Sequence, residues 1–243
     1  MSKKKPKFDC YTNESVQFSA AKGFSLSNLE ELHPMTYPQK QFMDSYFSGV
    51  PVIIQTGSAG TGKSVLSMWC ALYDIISKRN EFRKIVLIRS SVQAREIGYL
   101  KGTEEEKNEV YESPYMAICD ELLTFKSNNY NNLKAKGLIE FHNTSFLRGK
   151  TFDDSIIILD EFENCTYHEL STVMTRVGVN SRVIMCGDLK QSDLHRRNDK
   201  SGYGDFMNVI DKMDSEVTDT VVYTPDDIIR SGIVKEFLLA EER

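Results

Sequence analysis

Gly57-Ser-Ala-Gly-Thr-Gly-Lys63-Ser64 places two glycines, a lysine and a hydroxyl at the spacing G-x-x-x-x-G-K-[ST]. The chemistry of that pattern is phosphate binding. Glycines let backbone N–H groups turn inward toward phosphate oxygens, and a helix starting at the lysine adds a partial positive charge. Lys63 would reach the β- and γ-phosphates, and the Ser64 hydroxyl would ligate Mg²⁺. The nucleotide-binding set read from this run is Gly57, Ser58, Ala59, Gly60, Thr61, Gly62, Lys63, Ser64 and Val65, and the cofactors it predicts are ATP and Mg²⁺.

A second run, Ile156-Ile-Ile-Leu-Asp160-Glu161, ends an apolar stretch in two carboxylates. Acidic residues at a strand end are often caps. Downstream of a phosphate loop, however, Asp160 is placed to hold the metal through its water shell and Glu161 to polarise an attacking water. A third run, Cys186-Gly-Asp188-Leu-Lys-Gln191-Ser-Asp193, follows another apolar stretch. Gln191 there can sense a γ-phosphate by hydrogen bonding, whereas Gly187-Asp188 alone reads as an ordinary turn.

Regular elements must bring these runs together. Val50-Pro-Val-Ile-Ile-Gln-Thr56 reads as a buried strand ahead of the loop, and the residues from Lys63 to about Arg79 carry helical periodicity. Further strand runs lie at 84–89, 138–142, 155–160, 182–186 and 220–224, with helical patterns at about 104–124, 166–177, 203–213 and 228–242. A short helix follows Pro38, and Ser127-Asn-Asn-Tyr-Asn-Asn132 reads as a loop. Near-continuous Ile/Val/Leu runs suit a parallel sheet covered by helices on both faces, so the fold class is α/β with five or six mainly parallel strands. Two strand runs fall between Lys63 and Asp160. With the adjacent glutamate, that order is the one used by ATPases that drive motion rather than by small-molecule kinases.

The 243 residues carry 30 Lys and Arg against 35 Asp and Glu, a formal charge of −5, so any nucleic-acid surface must be a local patch. A 40% apolar content supports a real core. No stretch approaches the ~18 apolar residues of a membrane span, and the start lacks a secretory signal, which predicts a cytoplasmic protein with no membrane partner. Cys10, Cys70, Cys119, Cys165 and Cys186 never form a C-x-x-C and are expected reduced and mostly buried. Residues 1–34 read as an N-terminal extension with a basic tail, Lys3, Lys4, Lys5 and Lys7, and residues 35–243 as the domain.

In its ordered motifs the chain resembles the PhoH family, P-loop ATPases related to superfamily-one helicase cores. The resemblance runs from about Tyr37 to Glu242 through Gln39, the Gly57–Ser64 loop, Ile88-Arg89-Ser-Ser-Val, Gly98-Tyr-Leu-Lys-Gly102, Pro114-Tyr115 followed by Asp120, and Leu147-Arg148-Gly-Lys-Thr151. It continues through Leu159-Asp-Glu-Phe-Glu-Asn164, Thr175-Arg176-Val-Gly178, Gly187-Asp188 with Gln191 and Asp193, Ser201-Gly202 and Asp226-Asp-Ile-Ile-Arg230. It implies a single RecA-like P-loop NTPase domain. By resemblance, Gln39 would read the adenine edge, Glu161 would be the catalytic carboxylate, Gln191 the γ-phosphate sensor and Arg230 an arginine finger. Three places depart from the family pattern: Phe162-Glu163 stands for Ala-Gln, Ser90 for Pro and Tyr203 for Leu.

Arg89, Arg148 and Arg176 are further candidate interface or finger arginines, although surface pairing is the default for any arginine. Helicases of this class build their site between two RecA-like domains, and the chain has length for one. A finger arginine would most simply reach an adjacent subunit, which predicts a homo-oligomer, and the resemblance implies a hexameric ring. The leading expectation is a Mg²⁺-dependent ATPase acting as a helicase-like motor on RNA or single-stranded nucleic acid. The alternative is a nucleotide-dependent binding or assembly protein without translocation.

Overall fold

Every apolar run singled out above forms a strand: β1 (Val52–Gly57), β2 (Lys84–Arg89), β3 (Ile139–Asn143), β4 (Ser155–Asp160), β5 (Arg182–Gly187) and β6 (Thr218–Tyr223). These come from a computed structural model that describes residues 23–90, 104–124, 128–188 and 202–241. The six strands make one sheet, β3-β2-β4-β5-β1-β6, in which each neighbouring pair is parallel.

Among the described residues seven α-helices accompany them: α1 (Tyr37–Ser48), α2 (Lys63–Ser77), α3 (Glu104–Leu122), α4 (Asn129–Ala135), α5 (Tyr167–Met174), α6 (Tyr203–Ile210) and α7 (Gly232–Glu241). The sheet is apolar on both faces because each face has its own cover. Ile53, Ile85, Leu87, Ile156, Ile158 and Ile184 pack into a core with α1 to α4. Their strand neighbours Ile54, Val86, Ile88, Ile157, Leu159 and Val183 point the other way, into a core with Leu170, Val173, Phe206 and Ile210 of α5 and α6. Period-two side chains feeding two cores explain why the strands read as continuous apolar runs. The edge strand β6 is only partly buried over its first three residues. Thr218 and Asp219 nevertheless pair with Val52 and Ile53, so the strand begins two residues earlier than its apolar stretch.

Two helices have instructive ends and interiors. Pro38 lies in the first turn of α1, where a missing N–H costs no helical bond. Pro114 lies inside α3, where it removes the bond to the Val110 carbonyl. The Ser113 hydroxyl donates to that carbonyl at 3.0 Å instead.

One expectation is corrected. The segment read as a loop over Ser127–Asn132 contains the start of helix α4, with Ser127 itself outside the described residues. Tyr130 and Leu133, three apart, are both buried, and Asn129 is spent on the Leu123 carbonyl at 3.1 Å. Asn128 stands ahead of the helix with φ +70°, a left-handed position that asparagine tolerates. The asparagines thus serve the helix start.

The described part of the N-terminal segment is packed onto the domain. Phe24 is buried in the first core, Leu29 bridges to Leu123, and the Trp69 indole N–H donates to the Glu30 carbonyl at 2.8 Å. The basic tail and Cys10 lie outside the described residues; the other four cysteines are free and buried. Among the described residues no helix is long and apolar enough to cross a membrane.

Candidate nucleotide site

Strand register places the chemistry. Arg89 pairs with Asp160 across β2 and β4, Asp160 with Cys186 across β4 and β5, and Gln55 with Cys186 across β5 and β1. The carboxyl ends of four strands therefore line up at one edge, the place where open α/β sheets bind ligands. Because β5 lies between β1 and β4, the phosphate loop and the carboxylate pair flank Gly187 and Asp188.

The loop leaves β1 through Gly57, whose φ is +115°. A Cβ there would lie 1.9 Å from the Tyr223 carbonyl oxygen of β6, so only glycine fits. Helix α2 starts at Lys63 with its N-terminus facing the loop. The Lys63 ammonium is folded back onto the loop, donating to the carbonyls of Gly57 at 2.7 Å and Ser58 at 2.8 Å. Burial pulls its pKa below the usual lysine range, against the pull of the Asp188 and Asp160 carboxylates.

A buried polar chain lies beneath this lysine. Tyr223 donates to Gln55 at 2.8 Å, Gln55 donates to the Ser67 hydroxyl at 2.7 Å, and Ser67 donates to the Lys63 carbonyl at 2.9 Å. Gln55 is 0% exposed, so its amide must be satisfied inside the protein.

Both oxygens of Asp160 are held. The Ser64 hydroxyl donates to Oδ1 at 2.9 Å and the Tyr115 phenol donates to Oδ2 at 3.1 Å. Burial first, and then Asp160 itself, push the phenol well above its usual range, which keeps it a donor. Glu161 takes a left-handed backbone at φ +55° and pairs with the buried Arg89 guanidinium. The Arg89 Nε is buried with no hydrogen-bond partner among the described residues.

The donor set fits Mg²⁺. Ser64 and Asp160 offer adjacent hard oxygens, and among the described residues no group of three or more His, Cys, Asp or Glu is arranged to hold a metal. A cation here would have to complete its shell from phosphate and water, as Mg²⁺ usually does.

The departures from the family pattern fall in one place. Phe162 and Tyr203 stack on each other with centroids 5.4 Å apart, and the Tyr203 hydroxyl lies 3.4 Å from that of Thr56. Ser90 donates to the Asn164 carbonyl at 2.7 Å. Glu163 is buried and accepts the Asp188 N–H at 3.1 Å. The tight fit extends to Gly187, where a Cβ would come within 2.6 Å of Glu163 Oε2.

These groups border a cleft of about 430 Å³, lined by residues 59–65 together with Arg89, Pro114, Asp160, Glu161, Glu163, Asp188 and Arg230, among others. Gly57 and Ser58 contribute through the carbonyls that hold Lys63. Arg230 is exposed and lies at its own chain's phosphate loop, where its Cγ would sit 3.1 Å from a Cβ on Gly60. The Ile229 N–H donates to the Gly60 carbonyl at 3.1 Å, so the segment before α7 is strapped to the loop.

Gln39 is buried with both ends of its amide engaged: Nε2 donates to the Thr61 carbonyl at 2.8 Å and Oε1 accepts the Met35 N–H at 2.6 Å. Reading an adenine edge would require it to exchange those partners. Arg148 is exposed and Arg176 half-buried, and neither lines the cleft. Gln191 lies outside the described residues, as do Gly98 to Gly102, Asp193 and Ser201. Sequence reasoning missed the Tyr115 clamp on Asp160 and the Gln55–Tyr223 support. Gln55 carried a signal, a lone amide inside an apolar strand run, whereas Tyr115 carried none beyond its place in a motif.

A parallel sheet with a phosphate loop after β1, and β5 inserted before the strand of the carboxylate pair, defines a RecA-like P-loop nucleotide-binding protein. Residues 31–242 match the family model described as PhoH-like protein. The chain belongs to the PhoH family. It is 31% identical over 218 residues to a PhoH-like protein of Mycobacterium tuberculosis, covering 87% of this chain and 58% of the relative. It is 31% identical over 190 residues to Protein PhoH of Escherichia coli, covering 78% and 52%. The chain thus spans little more than half the length of these relatives. Among solved structures, the Pif1 helicase of Candida albicans aligns at a TM-score of 0.35 and 18% identity, covering 79% of this chain and 41% of that one. Likeness at that level adds nothing to the fold description.

Proposed function

We propose that the chain is a cytoplasmic ATPase that uses Mg²⁺ and works as a single-core, helicase-like motor on RNA or single-stranded nucleic acid. The observation that carries the hydrolytic part is the contact of Ser64 with Asp160 at 2.9 Å, with Glu161 next in sequence and Lys63 beside them. The nucleic-acid part rests on the family resemblance.

In this reading Lys63 leaves the Gly57 and Ser58 carbonyls to take phosphate oxygens. Glu161, released from Arg89, accepts a proton from the water that attacks the γ-phosphorus as the bond to ADP breaks. Mg²⁺, when bound through Ser64 and Asp160, supplies charge that offsets the phosphates. Tyr115 keeps Asp160 oriented for that task, and Gln191 senses the γ-phosphate. Arg230, in the cleft of its own chain, stabilises charge on the transferring group in cis. The chain assembles as a homo-oligomer, a ring of six by family resemblance, with Arg148 and Arg176 as the arginines available to a neighbour.

Phosphate release from ATP, measured with and without Mg²⁺ and with RNA, single-stranded DNA or neither, tests the reading. Mg²⁺-dependent release that rises with nucleic acid is expected; release indifferent to Mg²⁺ would sink it. The Arg89–Glu161 pair favours one second reading, a nucleotide-dependent binding or assembly protein, because an engaged carboxylate is a poor base. Salt-dependent RNA binding separates the two, and none at low salt would leave the binding or assembly reading.

A further inference from the structure

Glu163 is a carboxyl group in an unusual position for one. It is 3% exposed, stands three residues after Asp160, and accepts the Asp188 N–H through Oε2. Four other carboxylates line its cleft: Glu121 of α3, Asp160 and Glu161 at the end of β4, and Asp188 beyond β5. The thiols facing it, Cys165 on its own segment and Cys186 on β5, are both held far above their usual range by burial and carry no charge. The cation that faces it from α2, Lys63, donates to the carbonyls of Gly57 and Ser58, while Arg89 is committed to Glu161. Gly187 is pressed against Oε2 so closely that no side chain could be inserted there.

A further negative charge at this point would lie in a poorly hydrated site beside the like charges of Asp160 and Glu161 and in the way of a polyanionic ligand. A neutral carboxyl would keep the hydrogen bond from Asp188 without that penalty. We propose that Glu163 serves as a protonated, uncharged tie between the turn after β4 and the end of β5, and that its ionisation weakens nucleotide binding. The second half rests on the nucleotide reading above; the first does not.

Burial, reinforced by the charges of Glu161 and Asp160 and opposed by two backbone N–H bonds, pushes this carboxyl up to about 8. An unfolded glutamate titrates near ~4.3. The folded state therefore holds the proton more tightly. The stability it contributes is complete at acid pH and lost as pH rises through about 8.

The test compares wild type with Glu163→Gln, which fixes the uncharged form. Without nucleotide, the melting temperature of the variant minus that of wild type should widen between about pH 5 and pH 9, by on the order of 5 °C or more. A constant difference would overturn the proposal. Wild type alone gives a second readout, an infrared carbonyl band of a protonated carboxyl that fades above about pH 8; a spectrum without it would likewise overturn the proposal. With a non-hydrolysable ATP analogue, wild-type Kd should rise about fivefold or more from about pH 7.5 to pH 9, and that of the variant by less than about twofold. Equal loss in both proteins would overturn the nucleotide half. A widening thermal difference in a protein that binds no nucleotide at any pH would uphold the tie and reject the ATPase reading.

Discussion

Lys63 and Glu161 line the same cleft and are far apart in expected effect. Lys63→Ala removes the cation that the phosphate loop holds ready, so nucleotide affinity should fall, as read by equilibrium binding of a fluorescent ATP analogue. Glu161→Gln keeps the shape and should keep binding, while turnover slows by about 10² to 10⁴, the range for loss of a general base. Near-normal hydrolysis in that variant would remove Glu161 from the chemistry. Tyr115→Phe deletes only the donor that holds Asp160 Oδ2. Removal of such a supporting hydrogen bond costs roughly tenfold or more in metal affinity. Half-saturation of ATPase activity should therefore move to higher Mg²⁺, with little change in ATP binding measured without metal.

At the scale of elements, the loop depends on its neighbours as much as on its own sequence. Gly57 is fixed by the β6 backbone lying against it, and a non-glycine residue at its φ of +115° carries a strain of about 1–3 kcal/mol before any clash. Gly57→Ala should lower the melting temperature by several degrees and displace β6, seen as faster amide exchange from Val221 to Tyr223. The strands that present the site were legible because Ile/Val/Leu runs buried on two faces leave an unambiguous pattern. Helix α4 was not, because its buried apolar side is two residues, Tyr130 and Leu133, set among asparagines. The end of β6 shows the opposite case, with pairing to β1 rather than side-chain burial deciding where it starts. Likewise the motifs announced Asp160 and Glu161, but the phenol on Asp160 and the arginine on Glu161 come from strands and helices that meet only in three dimensions.

For the molecule as a whole, the position of Arg230 bears on how copies cooperate. If this arginine serves its own cleft, mixing Arg230→Ala chains with Glu161→Gln chains should restore no activity, since each chain carries its own defect. Recovery in the mixed oligomer would place the arginine across a subunit boundary instead. The same mixing with Arg148→Ala should restore part of the rate, because that exposed side chain lies outside the cleft it would be completing.

The strap from Ile229 to Gly60 and the pairing of β6 with β1 also order the events of synthesis. The phosphate loop emerges from the ribosome well before the segments that brace it. A nascent chain therefore carries a recognisable loop sequence with an unpaired strand edge and no working pocket. Contacts so distant along the chain close slowly. Nucleotide, by binding only the braced form, would then act as a late folding ligand, drawing freshly made chains toward the closed sheet by mass action.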